Sequence, residues 1–75
     1  MIKVGDTVAV TSGEHKGKMG VVAYMDIDNI HVILKPSNLL VTELYVEDVN
    51  KVAGMKLATA SAIQQEYQQL LTTIQ

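Results

Sequence analysis

From Val4 to Val22 the chain reads VGDTVAVTSGEHKGKMGVV, and this stretch constrains the fold more than any other. Val8 and Val10 alternate with Thr7, Ala9 and Thr11, so the segment makes a strand with one apolar face and one small or polar face. Gly13, Gly17 and Gly20 then fall among Glu14, His15, Lys16 and Lys18. Glycines at this density permit tight backbone reversals, so the loop is shaped rather than slack. Val22 and Tyr24 resume the alternation, which returns the chain antiparallel to its first strand. A strand, a lysine-bearing bend from Ser12 to Lys18 and a second strand are therefore expected.

The remaining chain continues in short elements. Asp26, Asp28 and Asn29 favour a reversal because their side chains bond their own backbone. Ile30, Val32 and Leu34, with Ile33 on the opposite face, predict a third strand that is apolar on both faces and central in its sheet. The run Lys35-Pro36-Ser37-Asn38 ends it, since proline cannot donate to a ladder. A fourth strand is expected from Leu39 or Leu40 to Leu44. Val46 and Val49, spaced three apart around Glu47 and Asp48, suit a single 3₁₀ turn, and Val52 is expected to start a short closing strand. Five short strands with turn signals between them fit a small barrel.

Gly54 interrupts this pattern, and from Ala58 onward the chain consists mainly of helix formers. Ser61 and Gln64 have capping-box spacing. Ala60, Ile63, Tyr67, Leu70 and Ile74 recur at intervals of three and four, and Leu71 widens the stripe. The expected helix needs a surface against which to bury that stripe. The chain thus divides into a β unit over 1–53 and a helical unit over 54–75, packed on the β unit or on a partner.

The order Gly5-Asp6-x-Val8-x-Val10-x-x-Gly13-x-x-Lys16-Gly17-Lys18-x-Gly20-x-Val22 resembles the KOW motif, shared by a large-subunit ribosomal protein and bacterial transcription elongation factors. The likeness covers about the first third of the chain. It implies an SH3-like barrel whose first hairpin loop touches RNA or a protein partner, in translation or transcription. The contact residues it implies are Ser12, His15, Lys16, Gly17 and Lys18.

Composition bears on that implication. The net charge is −2, and all six positive residues are lysines. Strong nonspecific nucleic-acid binding draws on a basic excess and on arginine forks, and neither is present. Residues 26 to 52 hold Lys35 and Lys51 against Asp26, Asp28, Glu43, Glu47 and Asp48, so the middle of the chain is acidic. There is no cysteine, and nothing fixes His15, His31, Asp26 and Asp28 to a metal-ligand spacing. Glu47 and Asp48 read as a solvated face rather than a carboxylate pair, and no serine sits in a nucleophile elbow. No enzyme, cofactor or metal is expected.

Phe and Trp are absent, so Tyr24 and Tyr45 are expected to complete the core rather than to form an exposed binding patch. No apolar run is long enough to span a membrane, and no signal peptide is evident, which points to a cytoplasmic location. The sequence therefore predicts a mainly β protein, an SH3-like five-stranded barrel with a C-terminal amphipathic helix, acting by binding. One expected partner is RNA or a ribonucleoprotein met by the loop. The alternative is a protein-interaction adaptor or inhibitor that uses the barrel and the helix together, its partner a protein or a second copy of the chain met by the helix face of Ile63, Tyr67, Leu70, Leu71 and Ile74.

Overall fold

The structure, a computed structural model, describes residues 1–74, apart from the side chain of Ile74. Its elements are β1 (Thr7–Val10), β2 (Met19–Met25), β3 (Asn29–Lys35), β4 (Leu39–Tyr45), a 3₁₀ turn (Val46–Asp48), β5 (Val49–Lys51) and the helix α1 (Ala60–Ile74). All pairings are antiparallel, in the order β4-β3-β2-β1-β5.

The two edge strands are consecutive in the chain, joined only by the 3₁₀ turn. In a flat five-stranded sheet the edges would stand about 19 Å apart. The 3₁₀ turn advances only about 8 Å. The sheet must therefore curl until its edges approach at that corner. Among the described residues no ladder joins β4 to β5, so the barrel expected from the sequence is not closed by hydrogen bonds. The closing strand does pair with β1, but it begins at Val49 rather than Val52.

Alternation sorts the side chains onto two faces. The concave face gathers Val8, Val10, Val22, Ile30, Val32, Leu34, Leu44 and Val49. The convex face carries Val21, Ala23 and Ile33, and α1 covers them with Ile63 and Tyr67. Because β3 contributes to both clusters, its apolar residues on either face are explained. Leu70 and Leu71 are half-buried against the second cluster. Ile63, Tyr67, Leu70 and Leu71 of the helix stripe thus rest on the chain's own sheet.

The helix starts two residues earlier than the expected capping box at Ser61 implies. Thr59 is the cap, with the Ala62 amide donating to its Oγ1 at 3.2 Å and the Ile63 amide to its carbonyl at 3.0 Å. Ser61 and Gln64 lie inside the helix and form no capping box.

Two one-residue slips occur opposite the middle of β3. On β2, Val22 pairs with Val32 but Tyr24 with His31, leaving Ala23 as the extra residue. On β4, Val41 pairs with Val32 and Leu44 with Ile30, so three steps on β4 match two on β3. A bulge turns the residues after it to the other face. Tyr24 therefore shares the helix-covered face with Ala23, at the rim of the second cluster. Tyr24 is 40% exposed and Tyr45 50% exposed, which corrects the expectation that both complete the core. The buried tyrosine is Tyr67.

Candidate functional site

The β1–β2 loop is rigid for reasons visible in its hydrogen bonds. The Val10 amide donates to the Lys18 carbonyl at 2.8 Å and the Gly17 amide to the Val10 carbonyl at 2.9 Å. Inside this frame two turns follow one another, Lys16 amide to Gly13 carbonyl at 3.2 Å and Lys18 amide to His15 carbonyl at 3.1 Å. Gly17 has φ +90°, a left-handed conformation that a side chain resists, although a Cβ there would meet nothing within 4 Å. Gly20 serves differently. It sits within β2, and its Cβ would fall 2.5 Å from the Ile33 carbonyl oxygen. It permits close approach, not the reversal assigned to it from the sequence.

The loop is also stitched to the 3₁₀ turn. The Ser12 hydroxyl donates to Asp48 Oδ1 at 2.7 Å, the Thr11 amide to the Asp48 carbonyl at 2.8 Å, and the Tyr45 amide to Asp48 Oδ2 at 3.0 Å. The Ser12 bond, and after it the Tyr45 amide, hold the Asp48 carboxyl below its usual 3.8. Asp48 is thus an ionised anchor shared by the loop and the turn.

Between the loop and β4 runs a groove of about 330 Å³. One wall is the loop from Ser12 to His15, the other is β4 from Val41 to Leu44, and Asp48 lies at its end. Val41 and Leu44 also belong to the concave core, so they bring apolar surface to the groove. Glu14, Glu43 and Asp48 bring carboxylates. The Nδ1 atom of His15 is buried and, among the described residues, has no hydrogen-bond partner. The groove is a seam between this loop and the edge strand β4.

The residues expected at the site are divided by this geometry. Ser12 and His15 line the seam, whereas Lys16, Gly17 and Lys18 occupy the exposed far part of the loop. Neither lysine forms an ion pair among the described residues, in contrast to Lys35 with Glu66 at 2.8 Å and Lys51 with Asp6 at 3.4 Å. On the helix, Ile63 and Tyr67 are buried against the sheet, and the side chain of Ile74 lies outside the described residues. Among the described residues no group of three His, Asp or Glu side chains is placed to hold a metal ion.

A second cluster was not anticipated from the sequence. Tyr24 stacks on Tyr67 with ring centres 5.9 Å apart, and the His31 ring lies 4.8 Å from Tyr24. His31 Nδ1 and the Tyr67 hydroxyl share a hydrogen bond at 2.7 Å. Burial lowers the pKa of His31. Burial, and then the neighbouring Tyr24, raise that of Tyr67. Both groups are therefore neutral in the pair at pH 7. Beside them Lys35 Nζ reaches both Glu66 oxygens, at 2.8 and 3.1 Å. These contacts fix the helix on β2 and β3. The Tyr67 position within the helical stripe was the available signal, but nothing local pairs Tyr67 or its neighbour Glu66 with His31 and Lys35.

No protein-family model and no curated protein matches this chain. Among the described residues no helix is long and apolar enough to cross a membrane.

Proposed function

We propose that this chain is a non-catalytic binding module, an SH3-like barrel of the KOW type with an added helix, and that its partner is a polypeptide received at the seam beside β4. The supporting observation is the charge of the seam. Glu14, Glu43 and Asp48 border it and, among the described residues, no lysine does, an arrangement that disfavours phosphate and leaves a protein segment as the better match. The KOW resemblance supports a loop-centred contact without selecting the partner. A photo-crosslinking residue placed at Thr42, in the seam, is expected to give a protein adduct in cells, while one at Ser37, in the β3–β4 turn, gives none. Equal adducts at both positions, or a nucleic-acid adduct at Thr42, would overturn the reading.

RNA contact is the second reading, and it has its own observation. Lys16 and Lys18 are exposed and form no ion pair among the described residues, so both are available to phosphate. On this reading a gel shift with single-stranded or duplex RNA weakens steeply with salt and disappears in the Lys16→Glu, Lys18→Glu double variant. Absence of any retained RNA at low salt removes it.

A further inference from the structure

We propose that the seam takes the side chains of an extended, arginine- or lysine-bearing peptide that adds to the free edge of β4. The inference rests on the polypeptide reading above and specifies the chemistry of the partner.

Three features of the seam combine. The first is the strand that forms its wall. Among the described residues β4, an edge strand of seven residues, pairs with β3 alone, so apart from the Tyr45 amide held by Asp48 the other side of its backbone is open to strand addition. Proline is absent from it, and Glu43 is its one charged residue. The register with β3 is regular from Leu39 to Val41, and the bulge follows at Thr42 and Glu43, beside the seam. A bulge leaves backbone groups outside the ladder and bends the strand.

The second feature is the mixture of surfaces. Val41 and Leu44 offer apolar contact and Glu14, Glu43 and Asp48 offer negative charge. Lysine and arginine match both, because they lay an apolar stem along hydrophobic surface and carry their charge at the end. A wholly apolar side chain would leave the carboxylates facing it, and a phosphate would meet three like charges. Asp48 in particular stays ionised because Ser12 and the Tyr45 amide favour its charged form. A bare metal ion fits poorly, since among the described residues no three ligating side chains converge. An extended organic cation can meet carboxylates that are spread along a groove.

The third feature is scale. A volume of about 330 Å³ lies at the small end of the range for ligand pockets, roughly 300–1,000 Å³, which suits a few side chains rather than a folded surface. In an extended segment alternate side chains point the same way, about 6.8 Å apart. Cationic residues at every second position would therefore all enter the seam.

The test uses the full chain, isotope-labelled for NMR, with three peptides of about eight residues each, the length of one strand. One alternates arginine and threonine, one replaces each arginine by glutamine, and one replaces it by glutamate. The arginine peptide is expected to shift the amides of Ser12 to His15, Val41 to Leu44 and Asp48. Its affinity should fall about tenfold or more between low and high salt, with the glutamine peptide weaker by a similar factor and the glutamate peptide silent. The Glu14→Gln, Glu43→Gln variant should lose about tenfold in affinity for the arginine peptide. Its fold is checked by its unchanged spectrum, and the salt titration of the unaltered chain stands if that variant does not fold. Equal binding of the glutamine peptide at the seam would overturn the cationic specificity while leaving the polypeptide reading intact. If no peptide perturbs the seam, both fail. A short oligouridine that shifts the same amides would replace the peptide with RNA and overturn the proposal.

Discussion

At the level of single residues, two glycines that look alike in the sequence carry different constraints. Gly17 needs its positive φ, but the space around it is open, so Gly17→Ala costs only the conformational strain, about 1 kcal/mol. Gly20→Ala would force a methyl to within 2.5 Å of the Ile33 carbonyl and 2.7 Å of Val32 Cγ1. The β2–β3 ladder must move to admit it, at a cost of about 3 kcal/mol. Urea unfolding is expected to rank the two variants in that order, and equal midpoints would contradict the packing argument. Asp48 makes a pH-dependent contribution of defined sign. Its folded pKa lies below the unfolded value, so the stitch to Ser12 and Tyr45 is complete above about pH 4 and is lost as pH falls through the folded value. The Tyr45 amide resonance should report that loss in the unaltered chain. In Asp48→Asn it should already be displaced at pH 7 and insensitive to acid over the same range.

At the level of elements, the helix is held by apolar burial and oriented by polar contacts. Ile63 is fully buried, and its truncation to alanine belongs to the class that costs about 2–5 kcal/mol. The Lys35–Glu66 pair is only partly buried and contributes about 1 kcal/mol or less. His31 adds a pH dependence. Burial lowers its folded pKa, so the unfolded chain binds the proton more readily. Stability should fall as pH drops from about 6.5 toward the folded pKa and then level off. Urea midpoints measured from pH 7.5 to 4.5 should follow this course, and His31→Gln should remove the part that lies nearest 6.5. These elements were legible in the sequence to the extent that they depend on local period. Alternation located the strands, three-four spacing located the helix, and Pro36 and Asn38 located the turn between β3 and β4. What stayed hidden depends on residues far apart in the chain. Ser12 meets Asp48, His31 meets Tyr67 and Lys35 meets Glu66, each across more than 30 positions, and no local pattern encodes such meetings. The exposure of Tyr24 escaped for a related reason. It follows from a single extra residue in β2, and Ala23 gives no sign of a bulge until its partner strand is known.

For the whole molecule, the sequence division into a β unit and a helical unit does not correspond to two cores that stand alone. The concave cluster is built from strands, but Val21, Ala23 and Ile33 are covered only when α1 lies over them. A chain of 75 residues is expected to have a net stability of about 4–11 kcal/mol. Burying Val21, Ile33, Ile63 and the ring of Tyr67 contributes about 1.5–3 kcal/mol each, roughly 6–12 kcal/mol in total, which is as large as the whole margin. The helix therefore belongs to the folding unit even though the sheet pairs without it. A chain ending at Ala58 is expected to lose cooperative unfolding and to bind hydrophobic dyes through the uncovered convex face. A truncated chain that still melts in one sharp transition, with native strand shifts, would show that the concave core suffices. The same reasoning separates the helix from the proposed binding surface. Ile63 and Tyr67 are spent on the sheet, with Leu70 and Leu71 half-buried against it, whereas the seam lies where loop and β4 face each other. Substitutions on the exposed helix face, such as Gln65→Ala and Gln69→Ala, should leave both stability and peptide binding within about 0.5 kcal/mol of the unaltered chain, and a larger effect on binding would place the partner on the helix instead.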